Sequence, residues 1–259
     1  MNLLNYMHSE CYRTFHRKYL YVFSGVCMLI IFGSTLLSYF GSRQSQNAQE
    51  WLRVETVLDM LAVFLPTLGL YAVLLTADIA FSGEHKSLTL KNVVSFGVSR
   101  AAIYFGKLLT AVLYSAIVLA VVLLSFSGFG LLLLGVENAA CFREAVLELG
   151  WGLLGAFPLW VAALSLANLL LFVIHSGTGA SFAYMGIMLL SGTVLDLLEL
   201  LGYPVFRTMK GWLISTQLGN FYGSVGNWMR IAAAWGSGLV YTVGFCLVGY
   251  GIFRKMEIK

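Results

Sequence analysis

The sequence predicts an all-α polytopic membrane protein with six transmembrane helices. Of the 259 residues, 59% are hydrophobic and only 11% are Asp, Glu, Lys or Arg, against about 45–50% and 25% in soluble domains. Mean hydropathy is +0.83. Such a chain cannot cover its apolar surface with polar groups, so lipid has to be its solvent. The apolar residues also fall in six runs, 19–40, 57–81, 108–134, 151–174, 179–200 and 228–253. About twenty apolar residues in a helix cross a hydrocarbon core of roughly 30 Å. These features exclude a soluble enzyme, a disordered regulator and a disulfide-stapled secreted module.

Segment 1–18 precedes the first run and is short, polar and aromatic. Leu4, Met7, Cys11, Phe15 and Tyr19 recur in steps of three and four, one face of a helix, with Arg13, Arg17 and Lys18 off that stripe. The pattern predicts an interfacial helix on the inner leaflet, its cations among phosphate headgroups. A basic tail that merely obeys the positive-inside bias is the plainer alternative. The first run is too long for a signal-peptide core and is followed by no clear small-residue cleavage site, so no cleaved leader is expected. The domain division is therefore 1–18 and a single membrane domain over 19–259.

Orientation follows from Lys and Arg near the span ends. With the N-terminus inside, the cytoplasmic segments hold Arg13, Arg17, Lys18, Lys86, Lys91, Arg100, Lys107, Arg254, Lys255 and Lys259. The external segments hold Arg43, Arg53, Arg143, Arg207, Lys210 and Arg230. The bias places both termini in the cytoplasm. The net charge of +4 thus reports topology and gives no ground for a nucleic-acid partner.

The connection 82–107 is oversized, because two spans can be joined by a few residues. Leu88, Leu90, Val93, Val94, Phe96 and Val98 alternate irregularly with polar residues, as in a short helix on the membrane surface or docked to a soluble partner. It is not a phosphate loop: Gly97 and Gly106-Lys107 are too far apart, and Leu108 stands where Ser or Thr is needed. Segment 135–150 mixes Val136, Ala140, Val146 and Leu149 with Glu137, Arg143, Glu144 and Glu148, a surface helix between spans three and four. Segment 203–227 carries Tyr203, Pro204, Phe206, Trp212, Phe221 and Tyr222 with several glycines. Too apolar for a solvated loop and too broken for a span, it predicts an external re-entrant or interfacial hairpin. An aromatic belt at the interface accounts equally for Trp212 and Tyr222.

Asp59, Asp78, Asp196 and Glu199 are the acids closest to hydrocarbon, and an intramembrane acid is a functional candidate by default. Each lies within a turn or two of a span end. Asp59, Asp196 and Glu199 are expected near Arg230 as a candidate outer gate, with ordinary interfacial ion pairs the commoner reading. Pro66 and Pro158 should kink spans two and four. Asn168 and His175 fall toward the inner end of span four, His175 reading as a loop residue. Ala111/Ser115 and Ala232/Gly236 are small-residue pairs that permit close helix contact. The four cysteines show no metal-ligand spacing, the four histidines share none, and neither HExxH nor GxSxG occurs. Neither catalysis nor a cofactor of its own is expected.

The order of parts is an entry helix, two spans, a cytoplasmic loop, three spans, a broken external hairpin and a sixth span. Within the loop stand Glu84, Thr89-Leu90-Lys91, Gly97, Ser99-Arg100 and Gly106-Lys107. In layout, and in this E…TLK…G.SR…K pattern, the chain resembles the permease subunits of type-2 ABC exporters. Its wording is similar to the small peptide, bacteriocin and antibiotic export or self-immunity permeases of Gram-positive bacteria. The resemblance implies a bacterial cytoplasmic membrane and a dimer, homomeric or heteromeric. Each copy would dock a cytoplasmic ABC ATPase that holds ATP and Mg. Residues 86–95 would be the coupling helix, with Glu84, Lys86, Thr89, Leu90 and Lys91 in or beside it and Gly97, Ser99 and Arg100 shaping its return to span three. Spans two and five would line a path for an amphipathic peptide, toxin or drug, and the hairpin would close it. The competing reading, a stand-alone secondary transporter or channel, wants acids or broken helices at the midplane and often an internal repeat; no convincing repeat is present.

Overall fold

The computed structural model describes residues 3–16, 18–44, 53–81, 97–136, 138–174 and 176–256. Every regular element among them is an α-helix: α1 (Leu3–Phe15), α2 (Lys18–Gln44), α3 (Val54–Phe81), α4 (Arg100–Leu133), α5 (Ala139–Ile174), α6 (Gly177–Glu199), α7 (Pro204–Trp212), α8 (Ile214–Leu218) and α9 (Trp228–Lys255). Six of these, α2 to α6 and α9, are long and apolar enough to cross a membrane. Each overlaps one of the six apolar runs.

Two boundaries differ from the sequence reading. Residues 100–107, assigned there to the connection, are the first turns of α4, which starts where the extended Ser99 accepts from the Ala102 amide at 3.2 Å. Residues 139–150 are not a separate surface helix. They are the start of α5, capped by Asn138 Oδ1 on the Ala140 amide at 2.9 Å. No Pro interrupts this stretch, and glycine is absent until Gly150, so the helix runs on past the apolar segment. At 36 residues and about 1.5 Å each, α5 outreaches the hydrocarbon.

The bundle is organised around α5. Of its apolar stretch 67% is buried, against 11% for α2 and for α6. Helices α3 and α9 flank it, α2 rides on α4, and α6 leans on α5 and α7. Both flanking contacts use a proline, a tryptophan and a glycine. Pro158 has no amide hydrogen, so the carbonyl of Leu154 loses its helical donor; the Trp235 indole of α9 donates to it at 3.1 Å. Beside it, Gly238 lies so close to Pro158 that a Cβ would stand 2.8 Å from its backbone. On the other side, the Trp160 indole donates to the Pro66 carbonyl at 2.9 Å and its ring covers Gly69. Tyr184 of α6 adds a 2.7 Å bond to the Leu70 carbonyl. Ala111 is buried and Ser115 meets Thr76 of α3 at 2.7 Å, whereas Ala232 and Gly236 lie on an exposed face.

The first node makes a direct prediction. Gly238→Ala should lower thermal stability in detergent by about 1–3 kcal/mol, because the new methyl meets backbone rather than a movable side chain. Gly244→Ala, with nothing within 4 Å of its Cβ position, should melt as the parent does in the same thermal-shift assay.

Candidate functional site

The end of the bundle that carries the connection between α3 and α4 gathers charged side chains from three helices. Within four residues the returning chain performs four tasks. Gly97 turns it with φ +78°, a conformation open to glycine at little cost. Val98 inserts into the core. Ser99 caps α4. Arg100 crosses to the far end of α9, where Nη1 donates to the carbonyls of Phe253 at 3.1 Å, Arg254 at 2.6 Å and Met256 at 2.8 Å. The last carbonyls of a helix have no partner within it and carry its negative pole, so a guanidinium satisfies both needs. Of the residues assigned to the loop motif, Gly97, Ser99 and Arg100 stand in this junction. Glu84, Lys86, Thr89, Leu90 and Lys91 lie outside the described residues.

One and two turns further along α4 come Tyr104 and Lys107. The Tyr104 ring stacks on Phe172 of α5 and nears Tyr250 and Phe253 of α9, over Gly249, where no side chain would fit. Lys107 is fully buried, and its Nζ lies 3.5 Å from Oε2 of Glu10 on α1. The same oxygen accepts from Arg13 at 2.6 Å. The apolar stripe runs through Met7 and Cys11, which are half-covered, while Tyr6 and Glu10 are buried among the described side chains of α1. A buried ammonium needs its counter-charge. Sequence reasoning missed Glu10, although it is the single acid of segment 1–18.

The opposite end is closed by the segment after α6. Phe221 packs against Gly155 of α5, and Glu148 accepts from the Gly223 amide, Gly223 itself having φ +72°. Gln217 Oε1 accepts from Ser237 at 2.8 Å, and Tyr241 donates to the Trp212 carbonyl at 2.9 Å, so α9 holds the same segment. Of the three candidate gate acids, Asp196 and Glu199 stand one turn apart on α6, and Asp59 stands on α3. Asp196 pairs with Lys210 of α7 at 2.6 Å. Asp59 is half-buried on the second turn of α3. Glu199 is half-buried at the last residue of α6. Arg230 donates instead to the Asn220 carbonyl at 2.8 Å. Asp78, the fourth acid, rests against Gly177 at the start of α6, where the helix pole favours a negative charge. Among the described residues, no group of three or more His, Cys, Asp or Glu side chains could hold a metal ion.

A protein-family model described as ABC-2 family transporter protein matches residues 7–178. The match covers well over half of the chain, from within α1, across the α3–α4 connection and all of α5, into the start of α6. No curated protein matches the chain.

The buried ion pair is testable by itself. Glu10→Ala takes the carboxylate from a fully buried ammonium and should cost about 3 kcal/mol, read as a lower melting temperature in detergent. Exchanging the charges as Glu10→Lys with Lys107→Glu should recover part of that loss.

Proposed function

Because the chain belongs to the ABC-2 transporter family, with six helices able to cross a membrane, we propose that it is the permease subunit of an ATP-driven exporter. Two copies enclose the path, and each docks one cytoplasmic ABC ATPase through residues 86–95. ATP and Mg belong to that partner. Both termini face the cytoplasm. The cargo is an amphipathic molecule such as an antimicrobial peptide, toxin or drug. The observation that carries this reading is the junction at Gly97–Arg100, placed directly after the segment that meets the ATPase.

In this reading the ATPase moves the connection when it closes on ATP. The junction leaves that displacement few places to dissipate. Ser99 caps α4, so a push there becomes a movement of the whole helix. Arg100 holds the end of α9, and Lys107 with Glu10 holds α1. Three helices therefore receive one displacement, and α9 extends it to the Trp212–Leu218 segment at the far end through Ser237 and Tyr241. Spans two and five of the two copies line the path, and α6 offers exposed apolar side chains (Phe182, Leu190, Leu197) to the second copy. Asp59, Asp196 and Glu199 stand at the exit as its gate region.

Replacing residues 86–91 with a Gly/Ser linker should leave the protein inserted while abolishing co-purification with the ATPase. Arg100→Ala is expected to behave differently. It should retain the ATPase in the pull-down yet lower substrate-stimulated ATP hydrolysis about tenfold, since it removes the charge-assisted bridge from α4 to α9 and leaves the docking segment intact. Normal docking by the linker variant would contradict the assignment.

A further inference from the structure

Helices α2, α3, α4 and α5 border a cavity of about 420 Å³ that is open on one side. Its wall includes Ile31 of α2, Gly69 and Ala72 of α3, Ala116 and Leu119 of α4, and Val161 of α5. Small side chains leave the space, and the Trp160 indole, fixed to the Pro66 carbonyl, forms its back wall. The cavity exceeds many times the room a water molecule needs, yet it offers water almost nothing. Thr76 and Ser115, the hydroxyls in the wall, bond to each other at 2.7 Å, and a buried water requires two to four polar partners.

Depth identifies what enters. Ile31 is near the middle of α2, Gly69 of α3, Ala116 of α4 and Val161 of α5. In four membrane-spanning helices these midpoints coincide with the centre of the bilayer, where the surrounding medium is hydrocarbon. A void this large left empty would forfeit the dispersion contacts of its whole lining. Helix α2 packs along α4 and scarcely touches α3, so the side between α2 and α3 is open to that medium.

We propose that this cavity is a binding site for one acyl chain of a bilayer phospholipid, entering between α2 and α3. The headgroup stays at the membrane surface while the chain lies against Gly69, Ala72 and Ala116 and completes the packing of α2 onto the bundle. The site lies within a single subunit and is independent of the ATPase partnership.

The test uses the full chain in nanodiscs containing a phospholipid with a diazirine at mid-chain, irradiated and mapped by peptide mass spectrometry. Adducts are expected on wall residues of α3, α4 or α5 as well as on lipid-facing positions such as Leu29 and Leu132, the latter 82% exposed. Ala72→Phe and Ala116→Phe each fill the cavity and should reduce the wall adducts about tenfold by displacing a few methylene contacts, leaving those at Leu29 and Leu132 unchanged. The two substitutions lie on different helices, so a failure of one to insert leaves the other to decide. Absence of wall adducts in the parent, or their persistence at parental yield in an inserted filled variant, overturns the proposal.

Discussion

In hydrocarbon a backbone carbonyl deprived of its helical donor has no water to turn to. That constraint acts most sharply on α5, the most buried span, which carries Pro158 in its middle. The Trp235 indole answers for the carbonyl that Pro158 frees, and Gly238 allows α9 close enough for it to do so. A second indole, Trp160, reaches from α5 to the proline-bearing stretch of α3. With α3 and α9 fixed to its two sides, α5 becomes the frame on which everything else is hung. Phe221 seats the segment after α6 against Gly155, and Tyr104 seats the start of α4 beside Phe172. The helices with least burial, α2 and α6, are those left outside these contacts.

The same frame joins the two ends of the molecule. Helix α9 receives Arg100 on its last carbonyls, and nearer its first turns it offers Ser237 and Tyr241 to the segment that covers the opposite end. A charge at one end and two hydroxyls toward the other thus bear on one continuous helix. Around Arg100 the described polar contacts include a cap, three carbonyl bonds and a buried ion pair. Such contacts are stiff in a low-dielectric surrounding, which suits a place where force is to be handed from a connecting segment to several helices.

Much of the fold is legible in the sequence because crossing a membrane demands only length and apolarity, both local properties. Pro66 and Pro158 are legible as breaks for the same reason. Which indoles reach toward them is not, because that depends on how neighbouring helices are rotated. The extensions of α4 to Arg100 and of α5 to Ala139 escape hydropathy altogether, since polar residues continue a helix as readily as apolar ones. Helix α1 carries a contact that periodicity does not show: Lys107, far away in sequence, meets Glu10. Gly97, Ser99 and Arg100 are visible as a pattern by resemblance. Their separate tasks, a turn, a cap and a bridge to α9, required the geometry. That Asp196 meets Lys210, and Arg230 the Asn220 carbonyl, depended on the path of the segment after α6, which the sequence does not encode locally.

In the proposed function this chain borrows the energy of a separate ATPase. The most direct measurement is to co-express the tagged chain with candidate ABC ATPases from its own host, solubilise in mild detergent, purify on the tag and assay the eluate for ATP hydrolysis. A stoichiometric complex with vanadate-sensitive hydrolysis is the predicted result. A folded chain that elutes without any ATPase, and that moves solute in liposomes under an ion gradient alone, would contradict it.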